Sequence, residues 1–256
     1  MPGADSRPLL VWAGAMVLAA LVFTLWPGID LWVSGLFYGP DGFAAARWGI
    51  VEGVRRLMWQ VSEAAILVAL LGLGLGLATG RPALWLPARL WGFVLAVYAV
   101  GPGVLVNLLL KEHWGRARPD TVEAFGGGLK FTASLNPAAE CARNCSFVSG
   151  ETASAAALAV GMVVVLRHLR PRISRAIWRA GLAFAAGVVV LGMATRLMVG
   201  RHFLSDVTFA VLIVLGVALM LDRPFRAGLV AVSKDTRNRG VPVLTTPATP
   251  PIRRDT

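Results

Sequence analysis

The sequence predicts an all-α polytopic membrane protein, a six-transmembrane-helix bundle with an outward-facing active site. Three observations carry the prediction. Of 256 residues, 56% are hydrophobic and only 15% charged, with a mean hydropathy of +0.67, too apolar for an ordinary soluble domain. Six stretches approach the ~20 apolar residues needed to cross a bilayer core about 30 Å thick at about 1.5 Å rise per residue. The basic residues, finally, are divided unequally between the loops on the two sides of those stretches.

The first span, residues 9–26, is long for the core of a secretory signal and has no small-x-small cleavage site before "WPG", so it reads as a retained anchor. After it, "IDLWVSGLFYGPDGF" (29–43) interleaves Trp32, Phe37 and Tyr38 with polar residues. That suits a segment lying in the outer interface, as an aromatic anchor or as a rim for lipid entry. The second span, 57–79, carries Glu63 near one end and runs into "GLGLGLATG" (72–80). No strand precedes those glycines, so they read as close helix packing rather than a nucleotide loop. Gly101-Pro102-Gly103 interrupts the third span, 90–110. The fourth, fifth and sixth are 147–166, 180–198 and 203–221. Residues 1–222 thus make a membrane domain. Residues 223–256 are basic, rich in Pro and Thr and without hydrophobic period, which predicts a disordered cytoplasmic tail.

Orientation follows from the basic residues. Arg7, Arg81, Arg89, five Arg within 167–179 and seven Lys or Arg from Arg223 onward place fifteen on one side, against ten on the other. The richer side is expected to be the cytoplasm of a bacterial inner membrane, with both termini inside and 27–56, 111–146 and 199–202 periplasmic. The net charge of +11 is therefore a matter of topology, and no nucleic-acid partner is expected. Cys141 and Cys145 fall in an outward loop. They are a candidate disulfide pair in an oxidising compartment, the alternative being free thiols.

Ionisable residues at span ends are costly and call for a function. In "TRLMVGRHFLSDV" (195–207), Asp206 follows His202 by four residues, a spacing that on a helix lets the carboxylate hold Nδ1–H and leave Nε2 free. "KEHWGRARPD" (111–120) sets Lys111, Arg116 and Arg118 just beyond the membrane, as a phosphate-binding cluster or a snorkelling collar. "CSFVSGETASAA" (145–156) starts an apolar run with Ser149, Gly150 and Glu151.

Together the segments read K-x6-R-P from Lys111 to Pro119, Ser149-Gly150, and R-x5-H-x3-D from Arg196 to Asp206. In this order and spacing they resemble the signature of the type 2 phosphatidic acid phosphatase (PAP2) superfamily of lipid phosphatases. The resemblance implies that Lys111, Arg118 and Arg196 clamp phosphate oxygens, with Ser149 and the Gly150 N–H completing the anion site. It implies that His202 attacks phosphorus to form a phosphohistidine, that Asp206 steadies the imidazolium, and that no cofactor or metal takes part. Val148 and Thr195 are minor departures from the family's Pro and Ser. Glu151 replaces the family's leaving-group His, and lipid A phosphatase-like members resemble this chain in carrying S-G-E.

Three outcomes are open at Glu151: it is the general acid itself, it activates water while His113 or solvent protonates the leaving group, or the chain is inactive. A site at the membrane surface suits a phosphorylated membrane lipid within the bilayer. Lipid A, undecaprenyl diphosphate and phosphatidylglycerol phosphate all qualify. A lipid phosphotransferase with the same intermediate is the alternative, and a lipid transporter a more distant one, because transporters place polar groups near the midplane.

Overall fold

In the computed structural model, which describes residues 6–238, six helices are long and apolar enough to cross a membrane. Helix α1 (Arg7–Leu25) is followed by a short α2 (Gly28–Gly35), and α3 spans Gly49–Thr79. The third crossing is composite: α4 (Ala88–Tyr98) passes into a π-helical stretch (Ala99–Leu110) and ends in the single turn α5 (Lys111–His113). The fourth, fifth and sixth begin with α6 (Gly150–Leu169), α7 (Arg175–Met198) and α8 (Leu204–Asn238).

Two boundaries differ from the expectation. Helix α3 starts at Gly49 rather than at residue 57, because the charged residues at its start satisfy one another: Glu52 accepts from Arg55 at 2.6 Å and from Arg56 at 2.7 Å. Its first turns therefore project past the apolar stretch. Helix α8 continues to Asn238, past residue 223, from which the sequence suggested an unstructured tail; residues 239–256 of that tail lie outside the described residues.

Small residues let the helices approach. A Cβ on Gly72 would collide with Trp91, and one on Gly76 would lie 2.8 Å from the Ala88 Cβ, so the glycine run is a packing surface for α4. Gly192 of α7 meets Ala155 of α6 in the same way. Pro102 has no N–H to give, and around it the third crossing widens to π geometry up to the residue before Lys111.

Stacked, edge-on and tilted rings (Trp114–Phe147, Phe147–Phe209 and Phe209–Phe23) join the loop between α5 and α6 to the bundle. Trp32 of α2 is exposed, while Asp30 and Ser34 on its opposite face are buried.

Candidate active site

Backbone hydrogen bonds draw three distant segments together. Residues 138–146 pair with α5 and the stretch after it: Cys145 N donates to Lys111 O at 3.0 Å, Cys141 N to Gly115 O at 3.0 Å and Ser146 N to Arg116 O at 2.9 Å. Asp120 N donates to Gly200 O at 2.9 Å, and Ser149 N to Asp206 O at 3.3 Å. The disulfide Cys141–Cys145, with Cα atoms 5.6 Å apart, closes a small ring in this loop, and Asn144 inside it turns its carbonyl to Arg118 Nη2 at 2.7 Å.

At this end of the bundle lies a cavity of about 440 Å³, lined by Arg55, Lys111, Arg118, Arg196 and Arg201, by Glu52, Asp120 and Glu151, and by His202. Five cations against three carboxylates leave it net positive, as an anion site requires. Arg196 is almost fully buried, and its Nε–H has no hydrogen-bond partner among the described residues. A buried, unpaired guanidinium donor in a cavity wall is costly unless an acceptor comes to it. Lys111 forms no ion pair among the described residues.

His202 is buried. Its Nδ1 lies 2.7 Å from the Ser146 carbonyl oxygen, which can only accept, so Nδ1 carries the hydrogen and Nε2 presents a lone pair. Burial, assisted by Arg196 and Lys111, pushes the ring down to about 4 against the pull of Asp206, so it is neutral at physiological pH. A neutral imidazole with a free Nε2 is a competent nucleophile.

The direct His202–Asp206 hydrogen bond expected from their spacing does not form: Asp206 Oδ2 lies 3.8 Å from Nδ1. The i, i+4 rule needs a helix, and the chain is helical only from Leu204. Asp206 instead reaches back to the Phe203 N–H at 2.8 Å, as a residue in the first helical turn does, and accepts from Ser146 Oγ. It thus acts on His202 through Ser146, whose carbonyl holds the ring.

Arg116 is no surface collar. Its guanidinium is fully buried, donating to Asp206 Oδ1 at 2.6 Å, Asp30 Oδ2 at 2.8 Å, Ser205 Oγ at 2.8 Å and Thr132 O at 2.9 Å, with Cζ 4.4 Å from the Phe203 ring centroid. Burial raises the Asp30 carboxyl above its ordinary value, against the opposing pull of Arg116. No sequence spacing links Asp30 of α2 to this group.

Ser149 caps α6, accepting from Thr152 N at 3.3 Å and Thr152 Oγ1 at 2.9 Å; it and Gly150 are buried, and neither lines the cavity. A Cβ on Gly150 would lie 2.6 Å from Asn107 Oδ1, so the bare backbone lets α6 start against Asn107 without displacing that side chain. Glu151 lines the cavity between two guanidiniums, with Arg55 Nη1 at 3.3 Å and Arg196 Nη1 at 3.3 Å. His113 is exposed and does not line the cavity. Two residues along a helix turn a side chain to nearly the opposite face, so with Lys111 directed inward His113 points away.

Residues 90–226 match the PAP2 superfamily. Curated relatives extend the likeness over most of the chain. A Lipid A 4'-phosphatase of Rhizobium etli is 36% identical over 214 residues, 78% of this chain and 79% of that protein. One of Rhizobium leguminosarum is 34% identical over 219 residues, 78% and 87%. One of Francisella tularensis subsp. novicida is 30% identical over 203 residues, 75% and 83%. No solved structure matches.

Proposed function

The chain belongs to the PAP2 superfamily and is a bacterial multi-pass membrane phosphatase acting on a lipid, and we propose that it removes a phosphate monoester from lipid A through a phosphohistidine. The observation that carries the mechanism is His202 itself, with Nδ1–H committed to a carbonyl and Nε2 free among the cations of the cavity. Relatives from three organisms named as Lipid A 4'-phosphatases support the choice of lipid. The excess of basic residues at the opposite ends of the helices supports a periplasmic site, with both termini cytoplasmic and the protein in the inner membrane.

Lys111, Arg118 and Arg196 bind the phosphate oxygens, Gly150 brings the backbone of the α6 N-terminus close to Lys111, and the Ser149 cap fixes that terminus. His202 Nε2 attacks phosphorus; the P–N bond forms as the bond to the lipid oxygen breaks. A solvent water gives the proton to the leaving oxygen, and the Glu151 carboxylate, paired with Arg55 and Arg196, then takes a proton from the water that breaks the P–N bond and releases inorganic phosphate. Asp206, through Ser146, steadies the imidazolium that develops. Glu151 is assigned this role over His113 because it alone of the two faces the cavity.

The test is phosphate release by detergent-purified protein from 4'-phosphorylated lipid A, undecaprenyl diphosphate and phosphatidylglycerol phosphate, with and without EDTA. Release from lipid A, indifferent to EDTA, is expected. Preference for either other lipid overturns the substrate, phosphoryl transfer to a second lipid in place of phosphate release favours a phosphotransferase, and loss in EDTA overturns the metal-free mechanism.

A further inference from the structure

Arg55 lies outside all three signature segments and before residues 90–226 that match the family, yet it lines the same cavity. Its guanidinium is locked at one side, Nε and Nη2 donating to Glu52 at 2.6 Å and 2.7 Å, while Nη1 is 3.3 Å from Glu151 Oε1. Arg196 Nη1 lies 3.3 Å from the other oxygen, Oε2. Glu52, Arg55, Glu151 and Arg196 therefore alternate in sign from α3 across α6 to α7.

The two guanidiniums are not equivalent. Arg196 is a phosphate ligand in the proposed mechanism, so a bound phosphate competes with Glu151 for it. The carboxylates Glu52 and Glu151 are the ion-pair partners of Arg55, which has no such competing duty. Packing does not enclose Glu151 either, because its side chain keeps 28% exposure and borders the open cavity. A glutamate has more rotatable bonds than the imidazole it replaces, and needs an outside hold to stay aimed at a reacting oxygen.

We infer that Arg55 is a positioning residue for Glu151, supplied by α3 from outside the family-matching segment to keep the carboxyl in place once phosphate engages Arg196. The inference rests on Glu151 as the general base. The extension of α3 to Gly49 has its purpose here, since a helix starting at residue 57 would not contain Arg55.

The test is a double-mutant cycle on the full-length, detergent-purified protein, measuring kcat and KM for phosphate release from 4'-phosphorylated lipid A. Arg55→Ala is expected to lower kcat about 10- to 100-fold, the scale of a misplaced catalytic group, with KM within about threefold because the phosphate clamp is untouched. In a Glu151→Gln background the same change should move kcat less than about twofold. Arg55→Gln, which keeps the stem and loses the charge, enters the cycle if Arg55→Ala elutes as aggregate. Equal losses in both backgrounds, or an effect on KM alone, overturn the positioning role while leaving Glu151 in place. A Glu151→Gln protein with wild-type kcat overturns the general-base reading and the inference together.

Discussion

Replacing Arg116 by methionine removes a buried cation and keeps roughly its volume. The structure sets the scale. Two carboxylates, Asp30 and Asp206, lose their guanidinium partner in a site with no exposure to solvent, and the Thr132 carbonyl and Ser205 hydroxyl lose a donor. Breaking a buried ion pair from one side costs about 3–5 kcal/mol, because the charge left behind stays buried. For a chain of this size about 1 kcal/mol moves a melting temperature by roughly 2–4 °C, so a fall of about 10 °C is expected. The assay is thermal unfolding in detergent followed by intrinsic fluorescence, for which the nine tryptophans provide signal. Activity should fall as well at temperatures where the variant is folded, since Asp206 holds Ser146 and Ser146 holds His202. Adding Asp30→Asn should restore part of the stability by removing one stranded charge. An Arg116→Met protein that melts with the wild type would refute the reasoning, and would mean the trio is not buried as described.

Other expectations follow from the same geometry. With His202 held near 4 instead of its ordinary 6.5, the acid limb that it contributes to kcat/KM should lie near pH 4. The unfolded chain takes up that proton more readily than the folded one, so the associated stability is intact above pH 6.5 and is lost as pH falls from 6.5 towards 4, about 3 kcal/mol in all; His202→Gln should flatten this slope in pH-dependent melting. His113→Ala should keep wild-type kcat and KM, and a tenfold loss would put an imidazole back into the proton pathway. Cys141→Ser/Cys145→Ser should raise KM several-fold with kcat nearly unchanged, because the ring presents the Asn144 carbonyl that holds Arg118; unchanged kinetics would show that Arg118 is placed without it.

The crossings and the signature residues were legible because both are local. A span declares itself by composition, and Lys111, Arg118, Arg196 and His202, which lie on one cavity, declare themselves by fixed spacing. What could not be read depends on packing. Asp30 looked like part of an interfacial segment, since nothing near it in sequence says that an arginine from residue 116 and a serine from residue 205 will meet it. Arg55 falls in the segment 27–56 that reads as an outward loop. His202 lies in a turn before Leu204, where i, i+4 spacing fixes no contact, and His113 lies two residues from Lys111 on α5, on nearly the opposite face. The local signal that α3 begins early was present in Glu52, Arg55 and Arg56, at i, i+3 and i, i+4 spacing.

The claim on which everything else rests is that His202 carries the phosphoryl group. Rapid quench of the enzyme with lipid A bearing radiolabelled 4'-phosphate measures it directly. The account predicts a labelled protein, stable to alkali and lost in acid as a phosphoramidate is, formed by the wild type and absent from His202→Ala, which releases no phosphate. Phosphate release by His202→Ala at a rate near that of the wild type would contradict it.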